Sequence, residues 1–430
     1  MIPRASRTDT ANRTGMSTAP RGMRLHIGLF GRRNVGKSSV LNALTRQQVS
    51  IVSEQAGTTT DPVEKPMELQ PLGPVLFIDT AGVDDEGALG ELRVERTRRV
   101  LDRTDVAVVI TDEPELGRYE EAMVEEFRGR WVPVIVVFNK SDVAPASERA
   151  LARLAQAGTI VVQVAARMGA GLGELRAALV RAAPEEARTT PRILRDLVGP
   201  GELAVLVVPI DKEAPKGRLI LPQVQSIRDL LDGDAMCLVV KESGLRAALG
   251  RLRDAPKLVV TDSQAFRRVA EDVPAQVPLT SFSILFARLK GDLAEQVAGT
   301  VAIDKLRPGD RVLVAKACTH HPIEEDIGRV KIPLWLERHV GGELRFEHIQ
   351  GHDFPRDLTG VRLVVHCGAC MLNRKEVQNR LLQCRRAGVP MTNYGLAIAY
   401  SLGLFERALA PFPAVLEAYR ARERPGRSAS

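Results

Sequence analysis

Eight residues constrain this chain more than any others. Gly31-Arg32-Arg33-Asn34-Val35-Gly36-Lys37-Ser38 fits the pattern G-x-x-x-x-G-K-S/T, directly after the apolar run Leu25–Phe30 and before the helical stretch Lys37–Leu44. A glycine-rich turn in that context aims backbone N–H groups and a helix N-terminus at one point, which makes a site for phosphate oxygens. The surroundings follow from it. A strand buried on both faces needs helices over each face, so the chain around the turn is expected to form a doubly wound α/β sheet. Periodicity agrees, with apolar runs at Leu25–Phe30, Val75–Ile78, Val106–Ile110, Val134–Phe138 and Ile160–Val164 and helical stretches such as Tyr119–Arg130 between them.

Further motifs sharpen the ligand. Lys37 is placed to neutralise the β/γ-phosphates and Ser38 to ligate Mg²⁺, while Arg33, Asn34, Val35, Gly36 and Ser39 complete the wrap. Asp79-Thr80-Ala81-Gly82 ends a strand, as an acidic residue near Mg²⁺ should. Asn139-Lys140-Ser141-Asp142 resembles the guanine-specifying N-K-x-D of the GTPase superfamily. That resemblance makes Asp142 the acceptor for the guanine ring and Lys140 its packing partner. Gly57-Thr58-Thr59-Thr60-Asp61 resembles the switch loop of the TrmE/Era-like branch, with Thr59 as a Mg²⁺ ligand. Val164-Ala165-Ala166-Arg167 stands where a fifth motif, usually S-A-K, belongs, in degraded form. The expectation is a GTPase forming GDP and phosphate. Val83 follows Gly82 where Ras-like proteins carry a water-orienting Gln, so turnover should be slow. Asn34 resembles the Asn that helps hold K⁺ against the phosphates in the related branch; the plainer alternative is that it stabilises the loop.

At 430 residues the chain has room for two or three cores, and its net charge of +7 raises the question of nucleic acid. Residues 1–22 and 418–430 each contribute +3, leaving about +1 for the body between them. A phosphate-tracking face is built into a folded domain. Nucleic-acid binding therefore loses its support, and residues 1–22 and 419–430 are read as disordered basic tails. No secretory signal opens the chain. The uncharged stretch Ala387 to Phe405 contains Pro390 and Asn393 and reads as a strand, a turn and a buried helix rather than a membrane span. Five cysteines, three of them clustered, suit a reducing cytoplasm.

The organisation expected is a 23–185 nucleotide domain, a 186–270 α/β unit and a 271–418 α/β unit, with Pro184–Pro191 as linker. The last unit holds Cys318-Thr319-His320 and, after 45 residues, His366-Cys367-Gly368-Ala369-Cys370. Cys367-x-x-Cys370 at a strand-to-helix junction admits a thioredoxin-like redox pair, half of a zinc site with Cys318 and His320, or an iron–sulfur site. The tight C-x-H pair disfavours a zinc knuckle. His321, His339, His348 and His352 read as surface or packing residues, and Cys237 and Cys384 as core.

Taken together, the GTPase motifs, the plain middle unit, Cys318-Thr319-His320-His321-Pro322 and His366-Cys367-Gly368-Ala369-Cys370-Met371-Leu372-Asn373-Arg374 resemble the family of [FeFe]-hydrogenase maturation GTPases, over residues 23 to 418. The resemblance implies a dimerisation role for the middle unit and a homodimer. It implies a C-terminal iron–sulfur domain with Cys318, Cys367 and Cys370 holding a [4Fe–4S] cluster and His320 or His366 at a labile fourth position. It also implies a diiron precursor of the H-cluster, received with two radical-SAM maturases and delivered to apo-[FeFe]-hydrogenase. Two other readings stand beside it: an RNA-associated GTPase with a structural zinc, and a GTPase-regulated thiol redox protein. The phosphate loop and the first thiolate lie about 280 residues apart, so the two sites are expected to assemble independently.

Overall fold

A computed structural model describes residues 20–45, 62–80, 97, 99–185, 192–209, 219–317 and 326–423. Three sheets organise them. The first has six strands in the order β2-β3-β1-β4-β5-β6, made from β1 Leu25–Phe30, β2 Val63–Leu69, β3 Gly73–Asp79, β4 Val106–Thr111, β5 Val134–Asn139 and β6 Ile160–Val164. All neighbours are parallel except β2, which runs antiparallel to β3 at the edge. β1 and β4 are buried along their whole length, which is why they read as unbroken apolar runs rather than alternating ones. Separate apolar clusters cover the two faces. The chain turns from β3 on one side of β1 to β4 on the other, and such a switch point opens a crevice at the strands' carboxyl ends.

The second sheet is parallel, in the order β10-β9-β7-β8, from β7 Leu203–Val207, β8 Met236–Val240, β9 Leu258–Thr261 and β10 Leu279–Ser281. The expected boundary at 270/271 cuts this sheet, because β10 pairs with β9 through Leu279–Val259 and Thr280–Val260. Three residues give too short an apolar run to be read as a strand. The third sheet, β12-β11-β13-β14, is also parallel, from β11 Arg311–Lys316, β12 Arg345–Gln350, β13 Val361–His366 and β14 Met391–Asn393.

The helices Phe282–Lys290 and Tyr394–Ser401 share one apolar core with the second sheet, from Ile193 to Phe412, and Tyr394, Ala397 and Ile398 of the latter also pack into the core of the third. Phe282, Leu285 and Phe286 are buried there, each contributing about 1.5–3 kcal/mol. Ser281 caps the first of these helices by accepting from the Ile284 amide. Among the described residues no helix is long and apolar enough to cross a membrane. The uncharged stretch forms β14 and a buried helix, as its sequence suggests.

Parts of the two expected tails are folded. Arg21–Met23 forms a 3₁₀ turn in which Arg21 pairs with Glu64, and the helix Pro413–Glu423 carries Arg420 to Glu406. Part of the basic excess assigned to the tails is therefore paired on the folded body. Cys384 is buried as expected, whereas Cys237, on edge strand β8, is only half-buried.

Candidate nucleotide and cluster sites

The phosphate loop sits at the carboxyl end of β1. Lys37 is buried and donates to the carbonyls of Gly31 and Arg32 at 2.8 and 2.7 Å, so its ammonium is folded across the mouth of the loop. Gly36 has φ +92°, and a Cβ there would meet Asn139 Nδ2 at 2.2 Å, so only glycine fits. Asn34 is exposed in the left-handed region at φ +61°, a conformation asparagine tolerates better than most residues. Ser38 Oγ, in the first turn of the helix Lys37–Thr45, donates to Asp79 Oδ2 at the end of β3 at 2.6 Å, which joins the two expected Mg²⁺ ligands. Arg33 and Ser39 are half-buried beside them.

Asn139 ties three motifs into one site. Its Nδ2 donates to Val35 O at 2.9 Å, and its Oδ1 accepts from the Ala166 amide at 3.3 Å. The degraded fifth motif is thus in position through its backbone, which needs no particular side chain. Ala165 turns back through a bridge to Ala170. Lys140 adopts φ +56° and pairs with Asp112 at 2.5 Å, and Asp142 is exposed next to it. Thr59, Gly82 and Val83 lie outside the described residues.

The second site grows from two adjacent parallel strands. β11 and β13 pair through Ala315 and His366, so the segments leaving them start side by side. Cys367 Sγ accepts from the amides of Ala317 at 3.0 Å and Ala369 at 3.4 Å. Ala317 immediately precedes Cys318; Cys318, His320 and His321 lie outside the described residues. Among the described residues no group of three metal-binding side chains occurs. Burial raises the Cys367 thiol above its ordinary value, and the two amides, Arg380 and Lys316 offset only part of that. Ala369 sits in the left-handed region at φ +54° and gives the turn its sharpness. Asn373 then caps the helix Arg374–Arg386 by accepting from the Glu376 amide.

His366 is not presented as a ligand. Arg380 Nη1 donates to its Nε2 at 2.9 Å, and its Nδ1 reaches Cys367 O at 2.8 Å. A guanidinium cannot accept and a carbonyl cannot donate, so the proton is on Nδ1 and both nitrogens are occupied. Burial, then the Arg380 charge, lower its pKa to about 3. The expectation of His366 as a fourth ligand is corrected: the ring orients the Cys367 turn instead. Arg380 also bonds Glu376 Oε1 and Gly351 O, both at 2.7 Å. Burial pushes Glu376 up, but His352 and Arg380 outweigh it and hold it at about 2. His352, His339 and His348 have packing or surface partners, in Glu376, Asp304 and Phe346.

Sequence reasoning missed Arg380, Glu376 and Lys290, whose roles arise only when distant segments meet. It also missed that the two domains touch at the cysteine turn. A Cβ on Gly22 would meet the carbonyls of Leu372 and Cys370 at 2.4 and 2.8 Å. Asn373 Nδ2 donates to Arg103 O at 2.8 Å and Asp105 Oδ2 at 3.1 Å, and Lys375 donates to Arg130 O at 3.0 Å.

Three family models match the chain in succession. Residues 26–140 match the 50S ribosome-binding GTPase model, residues 193–291 the hydrogen maturase F dimerization domain, and residues 294–411 the hydrogen maturase F tetramerization domain. The tRNA modification GTPase MnmE of Heliobacterium modesticaldum is 38% identical over 151 residues, covering 34% of this chain and 32% of that one. GTPase Der of Wolinella succinogenes is 38% identical over 126 residues, covering 28% and 26%. The chain spans about a third or less of the length of these curated relatives. A crystal structure of Aquifex aeolicus Era bound to GDP and AlF₄⁻ matches at 23% identity and a TM-score of 0.34, over 57% of this chain and 96% of that one. A score of that size adds nothing to the fold described above.

The N-terminal domain is a P-loop GTPase domain of the TrmE/Era-like branch, binding GTP and Mg²⁺. With the two modules that follow it, the chain belongs to the hydrogen maturase F family.

Proposed function

We propose that this chain is a cytoplasmic GTP-hydrolysing scaffold that carries a [4Fe–4S] cluster and delivers a diiron precursor of the H-cluster to apo-[FeFe]-hydrogenase, having received it with two radical-SAM maturases. In the GTPase half, loop amides and Lys37 take up phosphate charge, and Ser38 and Asp79, with Thr59, would hold Mg²⁺. When bound, Mg²⁺ neutralises the β/γ oxygens. Asn34 holds K⁺ there, and turnover is faster in K⁺ than in Na⁺. Asp142 selects guanine.

Cys318, Cys367 and Cys370 are the cluster ligands. The observation that carries this half is the setting of Cys367 Sγ. It accepts two backbone N–H bonds, one from the residue preceding Cys318, in a turn backed by a buried lysine. N–H donors and positive charge offset part of the cost that burial puts on a thiolate, the form that ligates iron. A neutral core thiol needs neither. His320 remains the candidate for a fourth ligand. The homodimer forms through the middle sheet, whose β8 edge exposes Met236 and Val239.

The test is the iron and sulfide content of anaerobically purified protein, in wild type and in single serine variants. Each of Cys318→Ser, Cys367→Ser and Cys370→Ser is expected to lose the stable cluster, because a hydroxyl replaces a soft thiolate. Cys384→Ser is expected to cost only stability. Zinc without sulfide in the wild type would favour the RNA-associated reading, and full iron retention in Cys318→Ser would remove that residue from the ligand set.

A further inference from the structure

Lys290 ends the helix Phe282–Lys290 with its side chain only 2% exposed. Its ammonium donates to the carbonyls of Ala369 at 2.7 Å, Cys370 at 3.3 Å and Leu372 at 2.6 Å. All three N–H donors are thus committed to the backbone of the turn that presents Cys367 and Cys370. The Phe286 ring centroid lies 5.7 Å from the ammonium nitrogen. A Cβ on Gly22 would stand 2.9 Å from the same nitrogen, so the G domain packs against the ammonium.

None of these hydrogen-bond partners is a carboxylate. A buried ammonium costs several kcal/mol unless a negative charge compensates it, and carbonyl dipoles compensate only in part. The three carbonyl partners of Lys290 all belong to the segment that carries Cys367 and Cys370. Glu376 is already matched by Arg380 and His352. Among the described residues, the turn that holds the ammonium leaves its own cysteines to supply the compensating negative charge. Neutral thiols supply none, whereas thiolates holding an iron–sulfur cluster supply a net anion.

We infer that Lys290 is a positioning residue and the counter-charge of the cluster: it fixes the Cys367-x-x-Cys370 turn through three carbonyls and biases the bound cluster toward its reduced form. This rests on the cluster reading proposed above. Reduction adds one electron and so one negative charge beside a fixed cation in a buried setting, where charges interact strongly. Removing the cation must therefore disfavour the reduced state.

The experiment compares Lys290→Met, Lys290→Gln and Lys290→Arg with wild type, each as the full chain reconstituted anaerobically with iron and sulfide. Iron and sulfide content is measured first, and the cluster is then titrated with reductant and followed by its visible absorption and paramagnetic resonance. Gln keeps amide donors for the carbonyls and removes only the charge. If Met does not fold, Gln carries the comparison. At a fixed potential the reduced-to-oxidised ratio is expected to fall about tenfold in Met and Gln, about 59 mV for a one-electron couple. Arg is expected to stay within about twofold of wild type. Neutral variants that titrate like wild type overturn the inference while leaving the carrier reading intact. Loss of the cluster from all three variants, Arg included, makes Lys290 a structural peg and also overturns it. Wild type without iron and sulfide defeats the carrier reading itself, and the inference with it.

Discussion

Asp142 is exposed beside Lys140, whose left-handed backbone turns the N-K-x-D segment outward at the end of β5. A carboxylate accepting from guanine makes charge-assisted bonds worth about 1.5–3 kcal/mol. Asp142→Asn is therefore expected to weaken GTP binding about ten- to a hundredfold while leaving ATP binding unchanged, as read by nucleotide titration. Equal wild-type affinities for the two nucleotides would contradict this assignment. At the other site the decisive residue is Glu376. Its carboxylate sits near 2 instead of 4.5, so its contribution is whole above about pH 4.5 and is lost as pH falls from there toward 2. Glu376→Gln leaves the Arg380 charge buried without its carboxylate, at a cost of about 3 kcal/mol near pH 7. In denaturant unfolding, the gap between wild type and variant should close below pH 4.5; a gap constant with pH would assign the loss to packing. The nucleotide residues were legible because the phosphate loop is contiguous and its chemistry is written in consecutive side chains. Lys290, Arg380 and Glu376 were not, since a lysine ending an apolar helix and an i,i+4 Glu–Arg pair look like ordinary surface features until the fold buries them.

At the scale of elements, legibility followed burial. The central strands of the first sheet were plain because both faces are covered. β2 was missed because it is an edge strand carrying Glu64, Lys65, Pro66 and Glu68 with most side chains partly exposed. β12, with Arg345, Glu347 and His348, was missed for the same reason. β8 is also an edge strand, but it is apolar, with Met236 54% and Val239 40% exposed. An exposed apolar edge recruits a partner or aggregates, and charge is the common way to block it. The double variant Met236→Lys/Val239→Lys is expected to halve the assembled mass in light scattering behind a sizing column, with the monomer still folded. An unchanged mass would place the dimer contact on another surface.

For the whole molecule, the expected independence of the two sites meets a contact that the 280-residue separation concealed. The nucleotide loop and the cysteine turn lie at opposite ends of β1. Gly22 precedes it beside the turn, and Gly31 leaves it into the phosphate loop, about 20 Å away at 3.3 Å per residue. At that distance Lys37→Ala is expected to abolish GTP hydrolysis and leave the iron content unchanged. Stability is a different matter. The helix Arg374–Arg386 is anchored to the G domain by Asn373 and Lys375, and Asn379 donates to Asp102 O. Each buried or half-buried bond contributes about 0.5–1.5 kcal/mol, enough together to make the G domain and the cysteine turn unfold as one. Lys375→Ala/Asn379→Ala spares the helix cap at Asn373 and removes two of these anchors. It is expected to split a single calorimetric transition into two, with the earlier one assigned to the G domain by its upward shift on adding GDP. A double variant that still melts in one step would place the cooperative link elsewhere, in the packing of Gly22 against the Cys370 and Leu372 carbonyls. Gly22→Ala, which drives a methyl into those oxygens, would then be the variant that separates the two halves.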